Sequence, residues 1–511
     1  MNTDIQFSKA KEYFQAGLNF FEIGDYEKAK IELIKAYELI PDRPSILANL
    51  SATLIKLKEW SKARNICEEL LEFDPLDPIG WLNLGVCVAH EGDADSAIGH
   101  FTKCLEIDPN LIAAWSNKGH AHQEREEFEI ADFSYQKALG LNPYYEDALI
   151  GKGNLLNESK YYNDALEWFN TALITNPNNH LAKWNKALSL LRLGNFEAGW
   201  PLFESRWHIP GMMEHKPTLA APLWLGQESL EGKTIYIYAE QGFGDTIQFS
   251  RYLPLLEKEK NVKVIFGAPK LLAPLMKSLS PTIRVVDQEN FSEKSCEKID
   301  FQCPIMSLAL SFETTLDSIP VSTTYLHIDP IKKATWAKKL ETSDGKPKLL
   351  KVGVAWRGSG KYANKISEKR NIPFPLIANL VSNLALDDIA FYAIQAEFGS
   401  DTDFKAPHLK GLNIYANELT DFSDTAALIA QLDLVLSVDT ACAHLAGALG
   451  VPTLLLIPDP PDFMSLVDCD KSPWYPNTCL LRQDKRGDWG KPLNEVKEKI
   501  LSIAKKRSMG E

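Results

Sequence analysis

The chain has 511 residues, more than one hydrophobic core can organise, so about three or four domains are expected. Hydrophobic residues make up 45% and charged residues 24%, an ordinary globular balance, and a net charge of -13 argues against nucleic acid and anionic membrane surfaces as partners. The first residues hold no apolar signal core, no apolar run reaches the roughly 20 residues of a membrane span, and the eight cysteines form no CxxC pair, so a reducing, cytoplasmic setting is the expectation.

The first two hundred residues keep a fixed period. Pro41, Pro75, Pro109, Pro143 and Pro177 are 34 residues apart, and Ala29, Ala63, Ala97, Ala131 and Ala165 keep the same step. Small residues recur nearly as regularly at Gly17, Ser51, Gly85, Gly119, Gly153 and Ala187. A small residue early, an alanine midway and a closing proline over 34 residues resemble the tetratricopeptide pattern, in which each unit is a helix pair and the proline stops the second helix. Five full repeats are predicted from about residue 10 to 179, with a degenerate sixth in LAKWNKALSLLRLGNFEAGWPLFESRW, so an α-solenoid is expected over 1–213.

Two residues before each small position stand Gln15, Asn49, Asn83, Asn117, Gly151 and Asn185. If these positions line a groove, the amides of Asn49, Asn83, Asn117 and Asn185 form a row that pairs with the backbone of an extended acceptor peptide. The other reading is that they tie neighbouring repeats together; sequence leaves both open. His120 and His122 lie two apart on a helix and face different ways, so they do not form a metal site.

After a connector at 214–232, short apolar strands alternate with helical stretches. TIYIYAE, VKVIFGA, IRVVD and IDFQCP fall in 233–345; LKVGVAW, IAFYAIQ, NIYA, LDLVLSVD and TLLLIP fall in 346–490, beyond a polar break at 341–348. Such alternation predicts two Rossmann-like α/β domains with parallel sheets facing a cleft, followed by a terminal helix at 491–511. Ligands of open parallel sheets bind beyond the carboxyl ends of the strands.

In the first half that rule selects Gly242, Gly244 and Asp245 of QGFGDT: the glycines allow a tight turn and close approach, and Asp245 opens a helix as an N-cap, a cleft acid or both. In the second half it selects the basic loop WRGSGKYANKISEKR, with Trp356, Arg357, Lys361 and Arg370 suited to a diphosphate, and Gln395 at the end of IAFYAIQ. It also selects SVDTACAHLAGALGVP. There Asp439-Thr440 is the turn, Ala441 begins a helix whose free N–H groups attract phosphate, His444 lies one turn in, and the small residues leave room for a ligand. The DxD sequences at Asp401–Asp403 and Asp468–Asp470 follow no buried strand and are not read as metal sites.

The Gly-Asp after the first strand and the Asp-Thr-x-x-x-His-Leu-Ala run resemble the ADP-heptose:lipopolysaccharide heptosyltransferase family, glycosyltransferase family 9. The fusion of repeats to such a domain is similar in architecture to O-GlcNAc transferase, whose solenoid carries an asparagine row. The resemblance implies a GT-B fold of two Rossmann-like domains, Asp245 as general base, and donor diphosphate binding by Asp439, Thr440 and the helix from Ala441. It implies transfer of a sugar from a nucleotide-diphosphate sugar, as co-substrate, to an acceptor hydroxyl, with no metal and no cofactor, on a protein or peptide held by the solenoid. Ala441 departs from the family, which has Gly there. Two alternatives accompany this reading: a catalytically inactive scaffold for protein interaction, for which Ala441 is the hint, and a transferase acting on a lipid-linked or cell-envelope glycan.

Overall fold

The computed structural model describes residues 2–212, 216–292, 298–341, 349–358, 369–385, 388–396 and 411–509. The chain divides into two compact units, Met1–Asn185 and Lys186–Glu511.

The first unit is a stack of helix pairs. Asn2–Glu22 pairs with Tyr26–Leu39, Pro44–Lys56 with Trp60–Phe73, Pro78–His90 with Ala94–Ile107, Ile112–Glu124 with Phe128–Leu141, and Glu146–Glu158 with Tyr162–Thr175. The period of the sequence is the period of the contacts. A Cβ on Gly17 would lie 2.7 Å from Leu33, one on Gly85 2.5 Å from Phe101, one on Gly119 2.8 Å from Tyr135, and one on Gly153 2.4 Å from Phe169. The small residue of each first helix thus seats the large residue of the second, and the pair closes to full packing density. Second helices end at Ile40, Asp74, Asp108, Asn142 and Asn176, each just before a repeat proline, whose ring disfavours helical φ/ψ in the residue preceding it. Between the helices of a pair, Gly24, Lys58, Gly92, Glu126 and Lys160 all take positive φ, so the turn geometry repeats even where glycine does not.

The sixth repeat departs from expectation. The division between units falls at 185, not near 213, and the helix Phe196–Phe203 packs its aromatic face inside the second unit. Phe196 stacks on Trp474 at 5.8 Å, and Trp200 meets Phe249 and Phe463 edge-on at 6.0 and 6.3 Å. The segment read as a connector is also built in: Trp224 is buried, its backbone N–H donates to Gln302 O, and Gln302 N–H donates to Pro222 O.

The second unit holds two parallel sheets. The first contains β1 (Thr234–Tyr238), β2 (Lys263–Ala268), β3 (Arg284–Asp287) and β4 (Phe301–Pro304) in the order β3-β2-β1-β4. The second contains β5 (Leu350–Ala355), β6 (Ile389–Ala393), β7 (Leu412–Ile414), β8 (Leu434–Val438), β9 (Thr453–Ile457) and β10 (Thr478–Arg482) in the order β10-β9-β8-β5-β6-β7. All nine sequence-expected strands are present; β10 is additional. The second sheet's core joins Leu350, Val352 and Val354 to Phe391, Leu434, Leu436 and Leu456, and the helix Gly490–Ser508 covers it with Val496 and Ile500. The helix Pro330–Lys339 lies against the helix Phe422–Ile429, tied by Lys332 to Asp421 and Asp424 at 3.1 and 3.0 Å.

Candidate functional site

In each sheet the chain reverses its direction of strand addition at one place. The first sheet reverses between β1 and β4 and the second between β5 and β8, and at such switch points the connecting loops diverge and leave a crevice at the carboxyl ends. The segments after β1, β5 and β8 therefore stand at the crevices.

Beyond β1, Glu240 turns into the protein and is gripped by Arg206. The guanidinium donates to both carboxylate oxygens at 2.7 and 2.8 Å, to Ser307 Oγ at 2.8 Å and to Glu204 Oε1 at 2.7 Å. This buried fork fixes the strand exit. Gln241 then takes a left-handed conformation, and Gly242 caps the helix Phe243–Phe249. Asp245 Oδ2 accepts the Gly242 N–H at 2.8 Å, so the acid is held by its own helix start. Burial pushes its pKa up to about 6; the nearby His444 and the Gly242 N–H pull it down, while Asp462 and Asp439 add repulsion. A carboxyl group so placed changes charge near neutral pH, as a general base requires.

The segment after β8 meets the same place. A Cβ on Gly244 would lie 2.7 Å from His444 Cδ2 and 3.6 Å from the Ala441 nitrogen, so two helix starts, at Phe243 and Ala441, converge on Gly244. His444 is buried; its Nε2 lies 3.2 Å from Asp439 Oδ1 and its Nδ1 3.1 Å from the Tyr475 hydroxyl. Burial raises the Asp439 pKa, but the His444 hydrogen bond and the charges of His444 and Arg370 outweigh it and hold the carboxyl below its usual range. Thr440 is the N-cap of the helix Ala441–Ala448, with its Oγ1 3.0 Å from Ser437 Oγ. The small residues of this helix do not stand empty: Gly447 lies under the Tyr475 ring, and Ala443 packs with Leu455, Ile457 and Leu480.

After β5 the residues part company. Trp356 is not at the crevice: along a strand every second side chain shares a face, and Trp356 continues the Leu350, Val352, Val354 face into the core. Gln395 is likewise internal, with its Oε1 accepting the Trp356 N–H at 2.8 Å, so it anchors the strand exit. Arg357 is half-buried. Arg370 lays its guanidinium against Gly358, and its charge reaches both Asp439 and Asp462. Lys361 and the Asp401–Asp403 sequence lie outside the described residues. In the first unit, Asn83 is buried and donates to Ser51 Oγ of the preceding repeat at 2.9 Å, so this rung ties repeats together and is not free for a peptide. Asn49 donates to Ser45 O one turn back, and Asn117 and Asn185 are half-buried on their helices. Gly151 breaks the row because a Cβ there would lie 2.4 Å from the Tyr135 ring.

Three participants were not singled out from sequence. Asp462 follows β9 and obeys the same after-the-strand rule that found Asp439. Tyr475 and Arg206 obey no such rule, since they reach the site from segments far away in sequence.

The glycosyltransferase family 9 (heptosyltransferase) model matches residues 408–467, which contain Asp439, Thr440, His444 and Asp462. Tetratricopeptide-repeat models match residues 7–43, 53–112 and 112–145. The chain carries tetratricopeptide repeats in its amino-terminal region and a family 9, heptosyltransferase-like domain at its carboxyl end. The family 9 match indicates glycosyltransferase activity, and the repeats indicate a protein-interaction region. Protein FlbA of Caulobacter vibrioides is 24% identical over 488 residues, 91% of this chain and 74% of that protein, consistent with the same fusion. Anaphase-promoting complex subunit 3 of Schizosaccharomyces pombe is 28% identical over 163 residues, 32% of this chain and 24% of its own length. Among solved structures, a thermophilic TPR protein of Thermus thermophilus aligns at 20% identity with a TM-score of 0.34, covering 36% of this chain and 99% of that one. Among the described residues, no helix is long and apolar enough to cross a membrane.

Proposed function

We propose that the second unit is a GT-B glycosyltransferase that moves a sugar from a nucleotide-diphosphate sugar to an acceptor hydroxyl, with 233–345 as its acceptor-side half and 346–490 as its donor half. The observation that carries this reading is the convergence at Gly244. A carboxyl group with a pKa of about 6 and the start of the helix Ala441–Ala448 meet at the carboxyl ends of two parallel sheets. Asp245 takes the acceptor proton as the hydroxyl attacks the anomeric carbon. The helix start at Thr440 and Ala441, with Arg357 and Arg370, meets the charge that grows on the leaving diphosphate, and Lys361 lies between these arginines in the sequence. Attack in line inverts the anomeric centre. These roles need neither a metal nor a further cofactor. The acceptor in this reading is a protein or peptide held by the repeats, with the half-buried Asn49, Asn117 and Asn185 along its path.

The test is a thermal-shift panel of UDP, ADP, GDP and their sugars on the wild type and on Thr440→Val. A donor present at 100 times its Kd stabilises its unit by about 2.7 kcal/mol. The expected result is one nucleotide class that stabilises the wild type and loses its effect in the variant. Silence across the panel, with a validated control protein responding, overturns the transferase reading and leaves a protein-binding scaffold.

A further inference from the structure

Behind His444 lies a set of contacts that the transfer chemistry does not itself demand. The Tyr475 ring packs on the helix Ala441–Ala448 at Gly447, where a Cβ would come within 2.4 Å of it. Its hydroxyl is 3.1 Å from His444 Nδ1 and 3.4 Å from the Tyr325 hydroxyl. Tyr325 in turn joins both helices of the site: its N–H donates to Ala448 O at 3.1 Å, and its hydroxyl donates to Ile247 O at 3.0 Å, on the helix that carries Asp245. Arg251 lies over the Tyr475 and Tyr325 rings at 4.8 and 5.0 Å, and its guanidinium donates to Gln248 O and Trp474 O, both at 2.8 Å.

We infer that Tyr475 is a positioning residue of this site: its hydroxyl fixes the His444 ring so that the Nε2 proton is aimed at Asp439 while the ring edge rests on Gly244. The inference deepens the transferase reading and rests on it for its kinetic test.

The proton positions follow from what each atom can do. An ionised Asp439 only accepts, so the Nε2 of His444 carries a proton. The Tyr325 proton is used on Ile247 O. The Tyr475 proton then has two destinations. Directed to Nδ1, it leaves His444 neutral; directed to the Tyr325 oxygen, it leaves the Tyr475 oxygen to accept from a doubly protonated ring. One hydroxyl therefore serves both charge states without turning the ring. Among the described residues, the groups facing His444 are Asp439 just after β8, Asp245 from the opposing helix and Tyr475. Arg251 and Tyr325 lie behind Tyr475, and Arg370 and Asp462 reach Asp439 through space.

Tyr475→Phe keeps the ring over Gly447 and beneath Arg251 and removes only the hydroxyl. Nδ1 then has no hydroxyl holding it, so the His444 ring that lowers the Asp245 pKa is no longer fixed in place. The acid limb of the kcat/KM–pH profile is expected to move to higher pH, each unit costing about tenfold on the acid side. The same substitution placed on a His444→Gln background is expected to leave the limb where His444→Gln alone puts it, because Tyr475 acts through His444. A limb unchanged by Tyr475→Phe, or a shift that persists without His444, overturns the inference. If the wild type transfers no sugar from any donor, the transferase reading fails by itself. The inference is then decided by histidine side-chain 15N spectra, with His444→Gln giving the assignment. A displaced Nδ1 resonance in Tyr475→Phe supports it, and an unmoved one overturns it.

Discussion

Asp245→Asn should make the protein more stable and less active, and the stability gain should depend on pH in one direction only. The carboxyl group is held at a pKa of about 6 against an ordinary 3.8, with burial as the main cause. A folded-state pKa above the unfolded one means that the folded protein binds the proton more tightly. Stability is therefore lost as pH rises from about 4 through 6, and the penalty is complete above about pH 7. At 1.36 kcal/mol per pH unit the penalty is about 3 kcal/mol. The asparagine carries no charge to desolvate, and its Oδ1 still accepts the Gly242 N–H, so the helix cap survives. For a unit spanning 186–511, with about 2 cal/mol/K of unfolding entropy per residue, the gain corresponds to about 4 °C in Tm. Melting curves of wild type and variant should differ by about a third of the full gap at pH 4.5 and separate further toward pH 7.5, while sugar transfer falls by about 10²-fold or more at every pH. A gap of the same size at both ends of the range, or a variant less stable throughout, refutes the assignment of Asp245 as a desolvated cleft acid.

Two further substitutions test the packing inside each unit. Arg206→Met strips the buried fork from Glu240 and Glu204 and should destabilise the second unit by about 3–5 kcal/mol in urea unfolding, with Glu240→Gln on top restoring part of the loss. Gly151→Asn, which would complete the amide row, drives a side chain into Tyr135 and should cost the repeats about 1–3 kcal/mol by helical circular dichroism, relieved by Tyr135→Leu.

The solenoid was legible because its decisive contacts lie at a fixed sequence separation. Gly17 with Leu33, Gly85 with Phe101, Gly119 with Tyr135 and Gly153 with Phe169 repeat one spacing, so the period carries the packing with it. What the period does not carry is the environment of each copy. Asn83 has a serine hydroxyl within reach in the repeat before it, and Gly151 has the Tyr135 ring, and these partners decide whether a rung faces outward or is used internally. The sixth repeat keeps helical spacing, yet Phe196 and Trp200 find their partners at Phe249, Phe463 and Trp474, which no local pattern reveals.

In the second unit, apolar runs marked nine strands and the after-the-strand rule found Asp245 and Asp439, but strand order is a property of the whole sheet. Only the orders β3-β2-β1-β4 and β10-β9-β8-β5-β6-β7 identify which loops flank a crevice. Trp356 was readable after all: Leu350, Val352, Val354 and Trp356 alternate on one face, and that parity sends the indole inward and leaves Arg357 on the other side. The small residues of the two site helices carried the opposite lesson. Read alone, glycine and alanine at a helix start imply space for a ligand, whereas here Gly447 receives Tyr475 and Gly244 receives His444. Their smallness lets two helix starts, one bearing Asp245 and the other preceded by Asp439, approach through a single histidine ring. It follows that Gly244→Ala should damage the site by pushing that ring aside, with Asp245 and Asp439 both left in place.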